Sequence, residues 1–168
     1  MKNQPKGKLQ IEKRPVDVLL DEYASFHTIP TNRVINYFCI PVVSFGILVF
    51  VWSIPFPHLD FLGKYNGFVN WASFLLAFVV YYYLRVSPLL SYLMLFALGA
   101  FSYLIVLLEK NVVLAQIGLL LFVIGNVAQL IGYKKEGRRP VFAQDFKFML
   151  IGPMWLFSLI LNRFKIRY

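Results

Sequence analysis

Four stretches of the chain are apolar, with few or no charges, for long enough to cross a hydrocarbon core about 30 Å thick: residues 35–54, 67–84, 88–108 and 111–132. Breakers mark the gaps. Pro55 and Pro57 follow the first stretch, Arg85 and Pro88 the second, and Glu109, Lys110 and Asn111 the third. The second and third gaps are short, so helices two to four are expected to form consecutive antiparallel hairpins. A fifth apolar stretch, 148–161, is shorter and holds the Gly152-Pro153 pair, which suits a re-entrant or interfacial helix better than a span. The expected fold is all-α: an integral membrane bundle of about four transmembrane helices plus that C-terminal helix. It forms one membrane domain over residues 1–168, in which residues 1–33 are a polar segment on one side.

Composition agrees with the pattern. Hydrophobic residues make up 59% of the chain and charged ones 15%, too little polar surface to cover a water-soluble core of 168 residues. The net charge of +9 would suggest nucleic acid in a soluble protein. Here, however, Lys and Arg flank apolar runs, without a basic helix or aromatic-interleaved sheet, so no nucleic-acid partner is expected and membrane lipids are. Lys2, Lys6, Lys8, Lys13, Arg14, Arg33, Arg85, Lys134, Lys135, Arg138, Arg139, Lys147, Arg163, Lys165 and Arg167 fall on one side of a four-span bundle. Only Lys64 and Lys110 fall on the other. The positive-inside rule then places both termini in the cytoplasm. The compact motif spacing described below points to a bacterial inner membrane, with the endoplasmic reticulum as the eukaryotic counterpart. Trp52 and Trp71 would lie near the outer interface, and Tyr81, Tyr82, Tyr83 and Trp155 toward the inner one. Cys39 is the only cysteine, which excludes an internal disulfide or a CxxC site. The polar N-terminal residues have no apolar core or small-residue cleavage site of a signal peptide.

The fourth span carries two patterns. Gly118, Gly125 and Gly132 recur every seven residues, which sets them on one side of a helix and lets a neighbouring backbone come close. Asn126, Gln129, Tyr133 and Glu136 form a polar stripe leading to the basic end. A second polar cluster lies before the first span, where Thr31 after Pro30 is a plausible N-cap and Asn32 and Asn36 share a helix face. Both clusters fall at the same end, where they can form one pocket. Taken singly, His27 reads as an exposed or capping histidine, Glu136 as a solvated charge among Lys134, Lys135, Arg138 and Arg139, and Asn36 and Gln129 as interhelical hydrogen-bonding residues.

Two of these segments resemble a known family. His27-Thr-Ile-Pro-Thr-Asn-Arg-Val-Ile-Asn36, continuing to Pro41, is similar to the signature H-x-N-P-x-N-x-x-x-H-x-x-x-x-P of the small membrane family of the 2-hydroxy fatty-acid dioxygenase of α-oxidation. Gln129-Leu-Ile-Gly-Tyr-Lys-Lys-Glu136-Gly-Arg-Arg-Pro140 resembles that family's Q-F-I-G-H-x-x-E-G-[KR]-[KR]-P, and Leu150-Ile-Gly-Pro-Met-Trp-Leu156 continues the likeness. The resemblance implies an Fe(II)-dependent enzyme that uses O2 to shorten a long-chain 2-hydroxy fatty acid by one carbon. His27 and Glu136 would be catalytic. The implied metal set is His27, Glu136, Tyr133 and Asn36, although Asn36 and Tyr133 stand where the family has histidines. Arg138, Arg139, Gln129 and Asn32 would meet the substrate. An asparagine carbonyl is a weak ligand and a tyrosine must lose its proton to bind iron well. Two functions are therefore expected: a divergent dioxygenase with Fe(II), or a non-catalytic lipid-binding member without metal.

Overall fold

Helix α1, Pro15–Ser25, starts at a proline, whose ring presets helical φ and whose missing N–H is one that a helix start leaves unbonded anyway. Val16, Leu20 and Tyr23 recur at helical spacing and are buried. The polar N-terminal segment thus contains an amphipathic helix that its charge content hides. In the computed structural model, which describes residues 13–109, 113–137 and 142–168, five more helices follow. They are α2 (Pro30–Trp52), α3 (Trp71–Val86), α4 (Pro88–Leu108), α5 (Leu114–Lys135) and α6 (Phe142–Arg163), and there is no strand among the described residues.

Helices α2, α4 and α5, with 23, 21 and 22 residues, are long and apolar enough to cross a membrane. Helix α3 has only 16 residues and rises about 24 Å. It starts later than the expected position 67 because Asp60–Phe68 forms 3-10 turns and Asn70 caps the helix. The Asn70 side chain accepts from the Ser73 N–H, and the Ser73 hydroxyl oxygen accepts from the Asn70 N–H. Ser87 alone joins α3 to α4: its N–H closes the former on the Tyr83 carbonyl and its hydroxyl oxygen caps the latter at Leu90. Burial is inverted relative to a water-soluble bundle. Phe38 and Phe96 are 73% and 76% exposed, while Asn32, Asn36 and Ser91 are buried. Large apolar side chains facing outward and amides inward suit a hydrocarbon surrounding. Tyr81 is exposed as a belt residue would be, but Tyr83 and Trp155 are buried and serve as core aromatics instead.

The expected run of hairpins holds for α3 and α4 but not for α5, which lies along α2. The glycine repeat explains this. A Cβ on Gly118 would stand 2.5 Å from the Phe50 backbone nitrogen, and one on Gly46 2.8 Å from that of Phe122. Gly125 faces Cys39 and Val43, and Gly132 faces Asn32. Asn32, Cys39 and Gly46 are themselves spaced by seven, so two small-residue repeats meet in antiparallel register. On α4 the one glycine, Gly99, has nothing within 4 Å of where a Cβ would stand.

Helix α6 packs beside α1. Lys147 pairs with Glu22 at 2.6 Å, and at the other end Arg14 donates to the Tyr168 carbonyl. The C-terminal turn that brings Tyr168 back is a Schellman motif, with Lys165 at φ 55 and the Ile166 N–H bonded to the Leu161 carbonyl. Lys147 and the turn after α6 are thus fastened to an 11-residue helix and its N-cap residue Arg14. Helix α6 also packs on α2 and α4.

Candidate functional site

Antiparallel packing of α2 on α5 brings the start of one helix to the end of the other, and both polar clusters meet there. Glu136, the C-cap residue of α5, reaches the start of α2. Its Oε1 accepts from the Ile29 N–H at 2.7 Å and from Asn32 Nδ2 at 3.2 Å, and its Oε2 accepts from the Thr28 hydroxyl at 2.8 Å. Ile29, not Thr31, is the N-cap, and its own side chain offers no acceptor. The carboxylate from a distant helix supplies that acceptor, and negative charge there also suits the α2 dipole. Burial raises the Glu136 pKa, but the hydrogen bonds from Ile29, Thr28 and Asn32 outweigh it and hold the carboxyl below its ordinary value.

From Glu136 a chain of amides runs into the bundle. Asn32 Oδ1 accepts from Asn36 Nδ2 at 2.9 Å, and Asn36 Nδ2 also lies 3.0 Å from the Asn32 carbonyl. Asn36 Oδ1 in turn accepts from Gln129 Nε2 at 3.2 Å. Every donor in this relay points toward the carboxylate, so the amides align in one direction and end on a negative charge. Gly132 makes the relay possible, since a Cβ there would collide with Asn32 Oδ1. Asn126 stays outside the relay and bonds the Phe122 carbonyl of its own helix.

His27 sits beside this relay, fully buried in an aromatic sheath. Its ring stacks on Tyr23 at 4.3 Å and lies 5.9 Å from Trp155 and 6.2 Å from Tyr133. Nδ1 is 2.9 Å from the Tyr23 carbonyl. A carbonyl only accepts, so Nδ1 carries a proton. Burial pushes the Tyr23 phenol far above its usual value, with the neighbouring Tyr133 adding to the effect. Tyr23, Gln129 and Tyr133 border a small chamber of about 80 Å³ between α2, α5 and α6, with Ile40, Val43 and Phe148 on its apolar side. His27 is therefore neither exposed nor a cap. Arg138 and Arg139 lie outside the described residues, and Lys134 points to the exterior.

Thr28, Tyr23 and Trp155 belong to the cluster although no motif singled them out as site residues. The spacing of Asn32, Cys39 and Gly46 was the available signal that α2 and α5 would meet here.

The protein is thus a helical membrane bundle with a hydrogen-bonded polar cluster at its basic end. Residues 14–164, nearly the whole chain, match the family described as 2-hydroxy-palmitic acid dioxygenase Mpo1-like, and the chain belongs to that family. Neither a curated protein nor a solved structure matches it.

That family implies iron, and the donors here can be tested against it. His27 fits: a ligating histidine donates its other nitrogen to a carbonyl or carboxylate, as Nδ1 does. The others do not. Glu136 is committed to the start of α2, with two hydrogen bonds on Oε1 and one on Oε2, while the Asn36 oxygen is a weak neutral ligand that already accepts from Gln129 and its nitrogen only donates. Tyr133 would have to ionise within a buried aromatic cluster. Among the described residues no three His, Cys, Asp or Glu side chains are grouped to hold a metal. A single imidazole does not make an oxygenase iron centre, which needs several fixed ligands and open positions.

Proposed function

We propose that this protein is a non-oxidising member of the dioxygenase family, a membrane protein that binds long-chain acyl lipids without iron. The observation that carries this reading is the relay from Gln129 through Asn36 and Asn32 to Glu136, in which two positions of the family's presumed metal set already have polar partners. A neutral amide at position 36 satisfies its neighbours on both sides, whereas a histidine there would be suited to a metal. The lipid preference follows from the family and from a bundle whose outer surface is apolar. By the positive-inside rule the basic end, with Glu136 and the start of α2, faces the cytoplasm.

The test is direct. The detergent-purified chain is incubated with Fe(II), O2 and 2-hydroxypalmitate, and the products are separated by chain length. No acid or aldehyde one carbon shorter is expected; its formation above the protein-free control contradicts the proposal. A second reading, a divergent dioxygenase acting on the same 2-hydroxy acid, is favoured by one observation, the hydrogen bond from His27 Nδ1 to the Tyr23 carbonyl. It requires Glu136 or Tyr133 to leave its present surroundings and turn toward Nε2.

A further inference from the structure

The other face of α2 borders a second and much larger space. A cavity of about 650 Å³ lies between α2, α4 and α6, lined among others by Tyr37, Pro41, Ala97, Pro153, Phe157 and Arg163. Its size falls in the range of sites that enclose one small ligand, roughly 300–1,000 Å³. Pro41 and Pro153 lie inside their helices. Each lacks an N–H, so two of the three helices that wall the cavity lose one helical hydrogen bond beside it. On α2 the lining runs from Tyr37 to Ser44, about 10 Å of rise that starts some 10 Å from the beginning of the helix.

The lining is apolar except for Tyr37, Ser44 and Arg163. Arg163 is its only charged residue, ends α6, is exposed, and makes no ion pair or hydrogen bond among the described residues. An apolar slot alone would be filled by any hydrocarbon tail of the bilayer. An arginine at its rim adds an anion-binding group with fork geometry suited to a carboxylate.

We infer that this groove is a binding site for a single-chain fatty acid, with the acyl chain along Pro41, Ala97 and Phe157 and the carboxylate on Arg163. This rests on the reading that the protein binds acyl lipids and is independent of its iron content. The site lies away from the polar cluster: Ile40 and Ser44 border both the groove and the 80 Å³ chamber and form the partition between them. A carboxylate on Arg163 places carbon 2 on the far side of that partition from Tyr133 and Gln129. The groove therefore does not select for a 2-hydroxyl group.

The experiment measures radiolabelled palmitate binding to the full chain in phosphatidylcholine nanodiscs. Palmitate and 2-hydroxypalmitate are expected to bind within about twofold of each other, and hexadecanol, which has the same chain without the charge, about tenfold more weakly. Arg163→Glu and Ala97→Phe, which reverse the rim charge and fill the slot, should each weaken palmitate by about tenfold or more while thermal unfolding stays near that of the parent. Binding by the parent that is unchanged in both variants overturns the groove assignment but leaves lipid binding standing. No binding of palmitate or 2-hydroxypalmitate by the parent overturns the lipid reading as well. Equal binding of hexadecanol and palmitate, or loss of palmitate to bilayer phospholipid, means that the groove is only a gap for bilayer tails and contradicts the inference. A tenfold preference for the 2-hydroxy acid contradicts it too, by placing the headgroup on the His27 side.

Discussion

The two faces of α2 are packed in opposite ways. Toward α5 the backbones touch, glycine meets glycine, and every amide between Gln129 and Glu136 has a named partner. Toward α4 and α6 the same helix carries Pro41, borders a cavity of about 650 Å³ and has one charged residue at its rim. Tight packing and satisfied polar groups leave no room for a ligand, whereas a wide apolar-lined space does. In this protein Glu136, Asn36 and Asn32 bind one another and the start of α2, and the larger space lies on the opposite side of that helix.

Substitutions that cross this division should have the largest effect. Gly118→Leu drives a side chain into the Phe50 backbone and should destabilise the bundle by about 3 kcal/mol, read as thermal unfolding in detergent. Ala97→Phe, which adds comparable bulk on the open side, should cost less than about 1 kcal/mol. Similar losses for the two would erase the contrast between the faces.

Glu136→Gln comes next, at about 1.5 kcal/mol, because it removes the charge from three hydrogen bonds at the start of α2. The pH dependence has a definite sign. The folded-state pKa of Glu136 lies below its ordinary value of 4.5, so its contribution is complete above that value and is lost as pH falls through the folded-state pKa. The parent should lose more stability than Glu136→Gln on acidification below pH 4.5; parallel losses would assign the acid sensitivity elsewhere.

Gln129→Leu removes the last donor of the relay and should cost about 0.5–1 kcal/mol, the scale of interhelical hydrogen bonds in membranes. The smallest change has the opposite sign. Lys165→Gly relieves a left-handed residue in the Schellman turn and should stabilise the end of α6 by about 0.5–1 kcal/mol. Destabilisation instead would mean that the lysine side chain contributes more there than its backbone costs.

Much of this was legible from the chain. Apolar length gave the all-helical membrane bundle, the heptad spacing of Gly118, Gly125 and Gly132 gave a close-packed face, and the shared end of the Asn32 and Glu136 clusters gave their meeting. The partner of the glycine face was not legible, because a repeat on one helix says what can approach and not which helix does. Only the matching spacing of Asn32, Cys39 and Gly46 on α2 could have supplied it. Local rules point to Thr31 as the N-cap because they weigh neighbouring side chains, whereas the acceptor for the Ile29 N–H comes from Glu136, over a hundred residues away. The groove is not legible in the sequence for a similar reason: Pro41, Ala97 and Pro153 belong to three separate stretches and form a cavity only when packed.

The most direct test of a polar relay in place of an iron centre is anaerobic Fe(II) titration of the purified parent by calorimetry, with Asn36→His combined with Tyr133→His measured alongside. The parent is predicted to take up no stoichiometric iron, because Glu136 and Asn36 already have their partners. Stoichiometric, saturable Fe(II) binding by the parent would contradict the account.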